Sequence, residues 1–395
     1  MSGASSARKE QQYSPDTRAI HADDGLNQIT DVAPALHVST TFRYDNTNLN
    51  PTGDEELDFL AAPPVYSRLA SHNTTRIEAI LSSLLNGHAI TYSSGLSAFH
   101  AMLVYLRPRA IVIGEGYHGC HGVIDICTKL WGLKKISLSD ESAWSSLEKG
   151  DIIHVETPLN PTGEARNLEY YRRKANEKGA YLTVDATFAP PPLQDPFAQG
   201  ADIVMHSGTK YFGGHSDMLC GVLAVPRDKR EWLDGLWKER MYLGSVMGNM
   251  EQWLGVRSLR TLGLRVTRQS QNTEALVQWL HEQMKKADSP VSKTVSRLQH
   301  ASLQKDDMTW IKKQMPGGFG PVFCLWMRDR ETAKSLPGKL RLFHHATSLG
   351  GVESLVEWRR MSDQTVDERV VRVSVGIENW EDLRDDMANA FAQLV

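Results

Sequence analysis

The chain has 395 residues, 41% of them hydrophobic and 23% charged, with a formal net charge of −3. That length exceeds what a single hydrophobic core usually serves, so two domains, or one large domain with a small companion, are expected. The charge balance offers neither a basic footprint for nucleic acid nor a polybasic anchor for a membrane surface, which leaves small molecules and proteins as partners.

Residues 1 to about 65 are polar, run through TNLNPTGDEE and end near Ala-Ala-Pro-Pro at 61 to 64, and are expected to form an arm rather than a core. From residue 66 onward, short apolar runs alternate with helical patterns. The runs are His88 to Tyr92 (followed by a helix from Leu96 to Leu106), Ala110 to Ile113, Ile152 to Val155, Tyr181 to Val184, Ile203 to Met205 and Gly221 to Val225. Such alternation predicts an α/β domain with a largely parallel sheet, spanning 66–265. A helix-rich stretch from about 230 to 285 then leads to further strands at Val322 to Met327 and Val370 to Val375, which predict a smaller α/β domain over 266–395. The four cysteines, Cys120, Cys127, Cys220 and Cys324, match neither a zinc ribbon nor a disulfide framework, so they read as free thiols in a reducing compartment, with no metal site. The N-terminal MSGASSARKEQQYSP lacks the apolar core of a signal peptide, and no apolar run approaches the length of a membrane span. A cytoplasmic protein is expected.

In open α/β sheets ligands gather at the carboxyl ends of strands, so the loops after the strands are where chemistry is sought. After Tyr92 comes Ser93-Ser94-Gly95-Leu96, a small-residue loop opening a helix, whose amides would suit a phosphate as well as an ordinary serine cap. After Val155 comes Glu156-Thr157-Pro158-Leu159-Asn160, in which Asn160 is either a donor to a ring oxygen or a turn residue. After Val184 comes Asp185-Ala186-Thr187. A carboxylate there needs a cationic partner, either a protonated pyridine nitrogen or an arginine, unless it caps a helix. After Met205 comes HSGTKYFGGHSDMLCG, placing Lys210 between Thr209 and Tyr211, three residues beyond Ser207. Alone it would pass for a surface turn. Together with a phosphate cradle and an acid for a ring nitrogen, a lysine at a strand end meets the needs of pyridoxal phosphate: a Schiff-base anchor, a group to keep the pyridine protonated, and a phosphate site.

These residues resemble the pyridoxal-phosphate enzymes of cysteine and methionine metabolism, which include cystathionine γ-synthases, cystathionine γ-lyases and methionine γ-lyases. The resemblance runs from Thr17-Arg18-Ala19-Ile20-His21 to Val373-Ser374-Val375-Gly376, and its central motif, D-x-V-x-H-S-x-T-K-Y-x-x-G-H-S-D, is matched at 202–217. The segment YHGCHGV from Tyr117 resembles the fungal synthase-like branch more than the lyases. The resemblance implies the aminotransferase-like fold type I, with Ser94, Gly95, Leu96, Ser207 and Thr209 around the phosphate and Tyr117 stacked on the ring. Asn160, Asp185 and Thr187 would complete the cofactor site. It also implies that Tyr66 and Arg68, in Tyr66-Ser67-Arg68, reach the cofactor of a neighbouring subunit, hence a homodimer at least and usually a homotetramer. Arg372 would hold the substrate α-carboxylate, with Ser348 beside it. Two departures stand out. The family's N-P-T-R is Asn73-Thr74-Thr75-Arg76, a lost proline expected to loosen a loop. Thr347 stands where synthases and lyases acting on cystathionine or cysteine commonly carry glutamate. The expected activity is γ-replacement on an activated L-homoserine, O-acetyl-L-homoserine first, with a nucleophile lacking an amino group such as a β-keto acid or ester. Cystathionine γ-synthase and γ-lyase are the enzymatic alternatives, and a protein keeping the fold without turnover is the reading from another class.

Overall fold

The structure, a computed structural model, describes residues 13–27, 29–47 and 64–395. The stretch TNLNPTGDEE and the Ala-Ala-Pro-Pro boundary fall almost wholly outside them. Seven strands form the larger sheet: β1 (His88–Tyr92), β2 (Ala110–Ile113), β3 (Lys134–Ser137), β4 (Ile152–Glu156), β5 (Tyr181–Asp185), β6 (Ile203–Ser207) and β7 (Gly221–Val225). Their order is β1-β7-β6-β5-β4-β2-β3. Only β7 runs against its neighbours; the other pairings are parallel. The central strands are apolar throughout because helices cover both faces, as a parallel sheet requires. One face packs Val112, Ile153, Val184 and Val204, and the other Ile111, Ile152, Ile203 and Leu223.

The second sheet has five strands: β8 (Val295–Gln299), β9 (Val322–Met327), β10 (His344–His345), β11 (Leu355–Trp358) and β12 (Val370–Ser374), in the order β10-β11-β12-β9-β8. The 23-residue helix Leu262–Met284 joins the two bodies. Leu262 and Val266 at its start lie in the core of the first, while Leu276, Val277 and Leu280 lie in the core of the second. This is the α/β architecture of fold type I with its smaller companion. The sequence reading located the core strands but not β3, β8, β10 or β11.

The N-terminal segment is tied to this body. In its helix Pro15–His21, Arg18 and Ala19 are buried, and Asp23 is bound by both Arg76 (3.0 Å) and Arg260 (2.8 Å). Thr74 corrects one expectation. It lies not in a loosened loop but in the first turn of the helix His72–Leu84, where its N–H donates to the cap Ser71 Oγ (3.2 Å) and its hydroxyl to Gln252 (2.9 Å). A proline could make neither bond, so threonine adds a cap hydrogen bond and a tie to Gln252 that the family's proline lacks. Among the described residues no helix is long and apolar enough to cross a membrane, and all four cysteines are free and buried.

Candidate active site

The carboxyl ends of β4, β5 and β6 meet the ends of β11 and β12 around a cavity of about 420 Å³. Every residue singled out from the sequence lines it, except Tyr66 and Arg68. Those two are exposed; Arg68 lies over the Tyr66 ring at 5.5 Å and donates to Met241 O (2.9 Å).

Ser94 caps the helix Gly95–Leu106 by accepting from Ser97 N (3.1 Å), so the capping role is real. The same helix end also faces the cavity, with Gly95, Leu96 and Ser207 around it. A Cβ added at Gly95 would come within 3.1 Å of the Ser207 Cβ and crowd this cradle. Free N–H groups at a helix start, with the unbonded Ser207 hydroxyl, fit a phosphate. The Thr209 hydroxyl is shared with the backbone of Cys220 (2.9 and 3.3 Å) while still bordering the cavity.

Parallel register sets Glu156 of β4 beside Asp185 of β5. Other buried acids have partners: Asp23, Glu78, Asp151 and Glu357 pair with arginines, and Asp386 accepts the backbone N–H groups of Arg341 and Leu342. Asp185 has no cation among the described residues. Its Oδ1 accepts from Thr187 N (2.9 Å) and Thr187 Oγ1 (2.5 Å), and Thr187 Oγ1 in turn accepts from Ser207 N (2.8 Å). Burial pushes the Asp185 carboxyl up and the two Thr187 bonds pull it back. Glu156 is pushed up by burial and by Asp185, and its oxygens accept from Tyr117 N (2.9 Å) and Asn160 N (2.7 Å). Thus the arginine and helix-cap alternatives for Asp185 fail, and a protonated ring nitrogen fits the free side of its carboxylate.

Lys210 follows β6 in a tight turn, its N–H bonded to Ser207 O (3.1 Å). Its Nζ donates to Ser348 Oγ at 2.8 Å. Burial, and secondarily the nearby Arg372 guanidinium, lower its deprotonation from 10.5 to about 8. A neutral amine near physiological pH is what carbonyl attack and proton transfer require. Tyr117, at the start of the helix His118–Trp131, is partly exposed to the cavity.

The second sheet supplies the opposite wall. Antiparallel register sets Arg372 of β12 across from Glu357 of β11, and their side chains meet at 2.7 Å. Arg372 also donates to Asn160 Oδ1 (3.0 Å) and Ser348 O (2.9 Å). With its oxygen committed, Asn160 keeps its amide N–H groups for a ligand. Thr347 is exposed and borders both this cavity and an adjoining cleft. The sequence reading missed Glu156, His118, Arg359 and Ser362 as lining residues. Glu156 carried a signal, an acid ending an apolar run, just as Asp185 does; Arg359 carried none.

The two-sheet fold and this cavity define a pyridoxal-phosphate enzyme of fold type I. The family of Cys/Met metabolism PLP-dependent enzymes matches residues 16–392. The chain belongs to that family, and its cofactor is pyridoxal phosphate. It is 34% identical over 398 residues to the cystathionine gamma-synthase of Mycobacterium tuberculosis (strain ATCC 25618 / H37Rv), covering 95% of this chain and 96% of that one. It is 31% identical over 395 residues to the cystathionine beta-lyase of Lactococcus lactis subsp. cremoris (strain MG1363), covering 95% and 98%. The solved structure of metB from Corynebacterium glutamicum superposes with a TM-score of 0.86 at 27% identity, over 98% of this chain and all of that one.

Proposed function

We propose that this enzyme carries out γ-replacement on O-acetyl-L-homoserine, with a carbon nucleophile such as a β-keto acid or ester. The observation that carries this reading is the charge layout around Lys210. The cavity's two acids, Glu156 and Asp185, lie together on the cofactor wall, while the wall around Thr347, Ser348, Leu349, Arg359 and Arg372 presents no carboxylate. A nucleophile with a distal ammonium finds no partner there, whereas a neutral or anionic one is accepted.

When bound, pyridoxal phosphate supplies the electron sink that acidifies the amino acid's Cα. The protein does the rest. Lys210 would anchor the cofactor and, as a free amine, would move protons at Cα and Cβ, with Ser348 Oγ holding its Nζ in line. Arg372 holds the α-carboxylate, and Tyr117 covers the ring. Acetate leaves from Cγ, the nucleophile's carbon bonds to Cγ, and that carbon releases a proton, so the exchange balances. The exposed Tyr66 and Arg68, outside their own chain's cavity, support a shared site in a homodimer or homotetramer, working in the cytoplasm.

Cystathionine formation is the second reading, favoured by the cleft beyond Thr347, which Asp217, Glu251 and Glu353 border and which would receive an ammonium. Competition decides between them: O-acetylhomoserine is supplied with equimolar cysteine and acetoacetate, and products are weighed by mass spectrometry. Dominant carbon–carbon product is expected, and Thr347→Glu should move the ratio toward cystathionine. Cystathionine as the main product of the unaltered enzyme, or a 2-oxo acid and ammonia without an added nucleophile, overturns the reading.

A further inference from the structure

Arg359 is a second guanidinium in the catalytic cavity, and its position poses a question that Arg372 does not answer. It follows β11 directly, in the short turn Arg359–Met361, and is only 3% exposed. Its Nη1 donates to Glu357 Oε2 at 2.7 Å, the same oxygen that receives Arg372 at the same distance. Its Nη2 comes no closer than 4.0 Å to Asp363 Oδ2, beyond hydrogen-bonding range, and its Nε is buried with no partner. Arg359, Arg372 and Ser362 line the cavity, but Glu357 and Asp363 do not. The two acids therefore hold the cluster near neutrality from behind, while the surface offered to a ligand is cationic. A buried guanidinium with unused donors costs free energy unless a ligand takes them.

We propose that Arg359 forms an anion subsite for a second carboxylate, distinct from the α-carboxylate at Arg372. Arg372 gives donors to Asn160, Ser348 and Glu357, and the remaining donors of its guanidinium serve a single carboxylate. Two guanidiniums on one wall match a bound pair of reactants that carries two. With a carbon nucleophile, the extra carboxylate belongs either to that nucleophile, which would make the β-keto acid the substrate rather than its ester, or to the departing acyl group, which would make that group a dicarboxylic half-ester. This deepens the γ-replacement reading and rests on it for the choice of substrates, but the subsite itself can be tested without turnover.

The direct test is calorimetric titration of the holoenzyme with L-2-aminoadipate and L-norleucine, which share a chain length and differ in the terminal carboxylate. Aminoadipate is expected to bind about tenfold more tightly, the scale of one charge-assisted bidentate contact after desolvation. Arg359→Gln should abolish that advantage and leave norleucine unchanged, while Arg359→Lys should keep part of it. If Arg359 only clamps Glu357 for Arg372, the substitution weakens both ligands alike and the proposal falls. It falls equally if the unaltered enzyme binds the two ligands with equal affinity, a result that needs no folded variant. Turnover separates the sources: acetoacetate against methyl acetoacetate, and O-succinyl- against O-acetyl-homoserine. A preference for the charged member of one pair, lost in Arg359→Gln, names the source; no such preference in either pair overturns the subsite's role in the reaction. Absence of any carbon–carbon product would sink the γ-replacement reading, with the aminoadipate titration still deciding the subsite.

Discussion

Asp185 and Arg372 face one cavity from different sheets, and both are almost fully buried, yet among the described residues only Arg372 has an ionic partner. On the second sheet, charge is compensated internally, with two arginines sharing Glu357 and Asp363 nearby. On the first, Asp185 and Glu156 lie side by side with no ion pair among the described residues, accepting hydrogen bonds from Tyr117, Asn160 and Thr187, while Arg166 acts on Glu156 only at longer range. The difference teaches where an external charge is awaited. The acid wall has no cation until a charged ring arrives, whereas the basic wall already holds Glu357 between its two arginines and turns only its spare donors to substrate. Depressed and raised pKa values cluster at such incomplete places because the missing partner is the ligand.

Removing the group that joins the two walls should have the largest effect. Lys210→Ala is expected to lose at least about a thousandfold in turnover, the scale of deleting a nucleophile. Borohydride treatment should then leave no cofactor-labelled peptide, although cofactor can still bind through its phosphate. A labelled adduct on another lysine would break the assignment.

Asp185→Asn tests the acid wall in both its states. Because burial raises this carboxyl above its ordinary 3.8, the ionised form weakens the cofactor-free fold as pH rises through that raised value. Asparagine should therefore raise the melting temperature of the cofactor-free protein at neutral pH. With cofactor bound the sign reverses: turnover should fall about a hundredfold or more, as expected when a buried charge loses its partner. If both forms of the variant lose stability together, Asp185 serves packing rather than the ring.

On the basic wall, Arg372→Lys should raise the Michaelis constant for the amino acid about tenfold, since an ammonium cannot reproduce the planar fork. Its effect on the rate at saturation should be smaller. An unchanged Michaelis constant would move the α-carboxylate elsewhere, with Arg359 the first candidate.

The gentlest probe is pH. Only the neutral Lys210 amine attacks the cofactor aldehyde, and burial with Arg372 nearby brings its deprotonation to about 8. Covalent reconstitution of the cofactor-free protein should accordingly quicken as pH rises through about 8 and level off above it. A rise continuing beyond 10 would describe a solvated lysine and dissolve the contrast between the walls.

Much of the acid wall was legible in the chain. Asp185 and Lys210 each end or follow an apolar run, and the parallel α/β pattern says that such ends converge. The same periodicity located the central strands of the first sheet. Edge strands were harder to read: β3, with the sequence Lys-Lys-Ile-Ser, is mostly exposed, and β8 is an edge strand with a register shift, so neither shows an apolar run. In β11 the buried Glu357 interrupts the pattern that would have announced a strand.

By itself, then, the sequence determined the fold class and the cofactor and singled out many of the residues that line the cavity, because those depend on local signals: a residue's place at the end of an element and the loop chemistry that follows. Only the tertiary structure decided which charges meet. Glu156 stands beside Asp185 through parallel register, and Arg372 stands opposite Glu357 through antiparallel register. Arg359, in a stretch of Trp-Arg-Arg-Met that the sequence reading passed over, enters the cavity because β11 ends at its rim. Pairing of charges across strands is a long-range property of register, which no local pattern in the chain encodes.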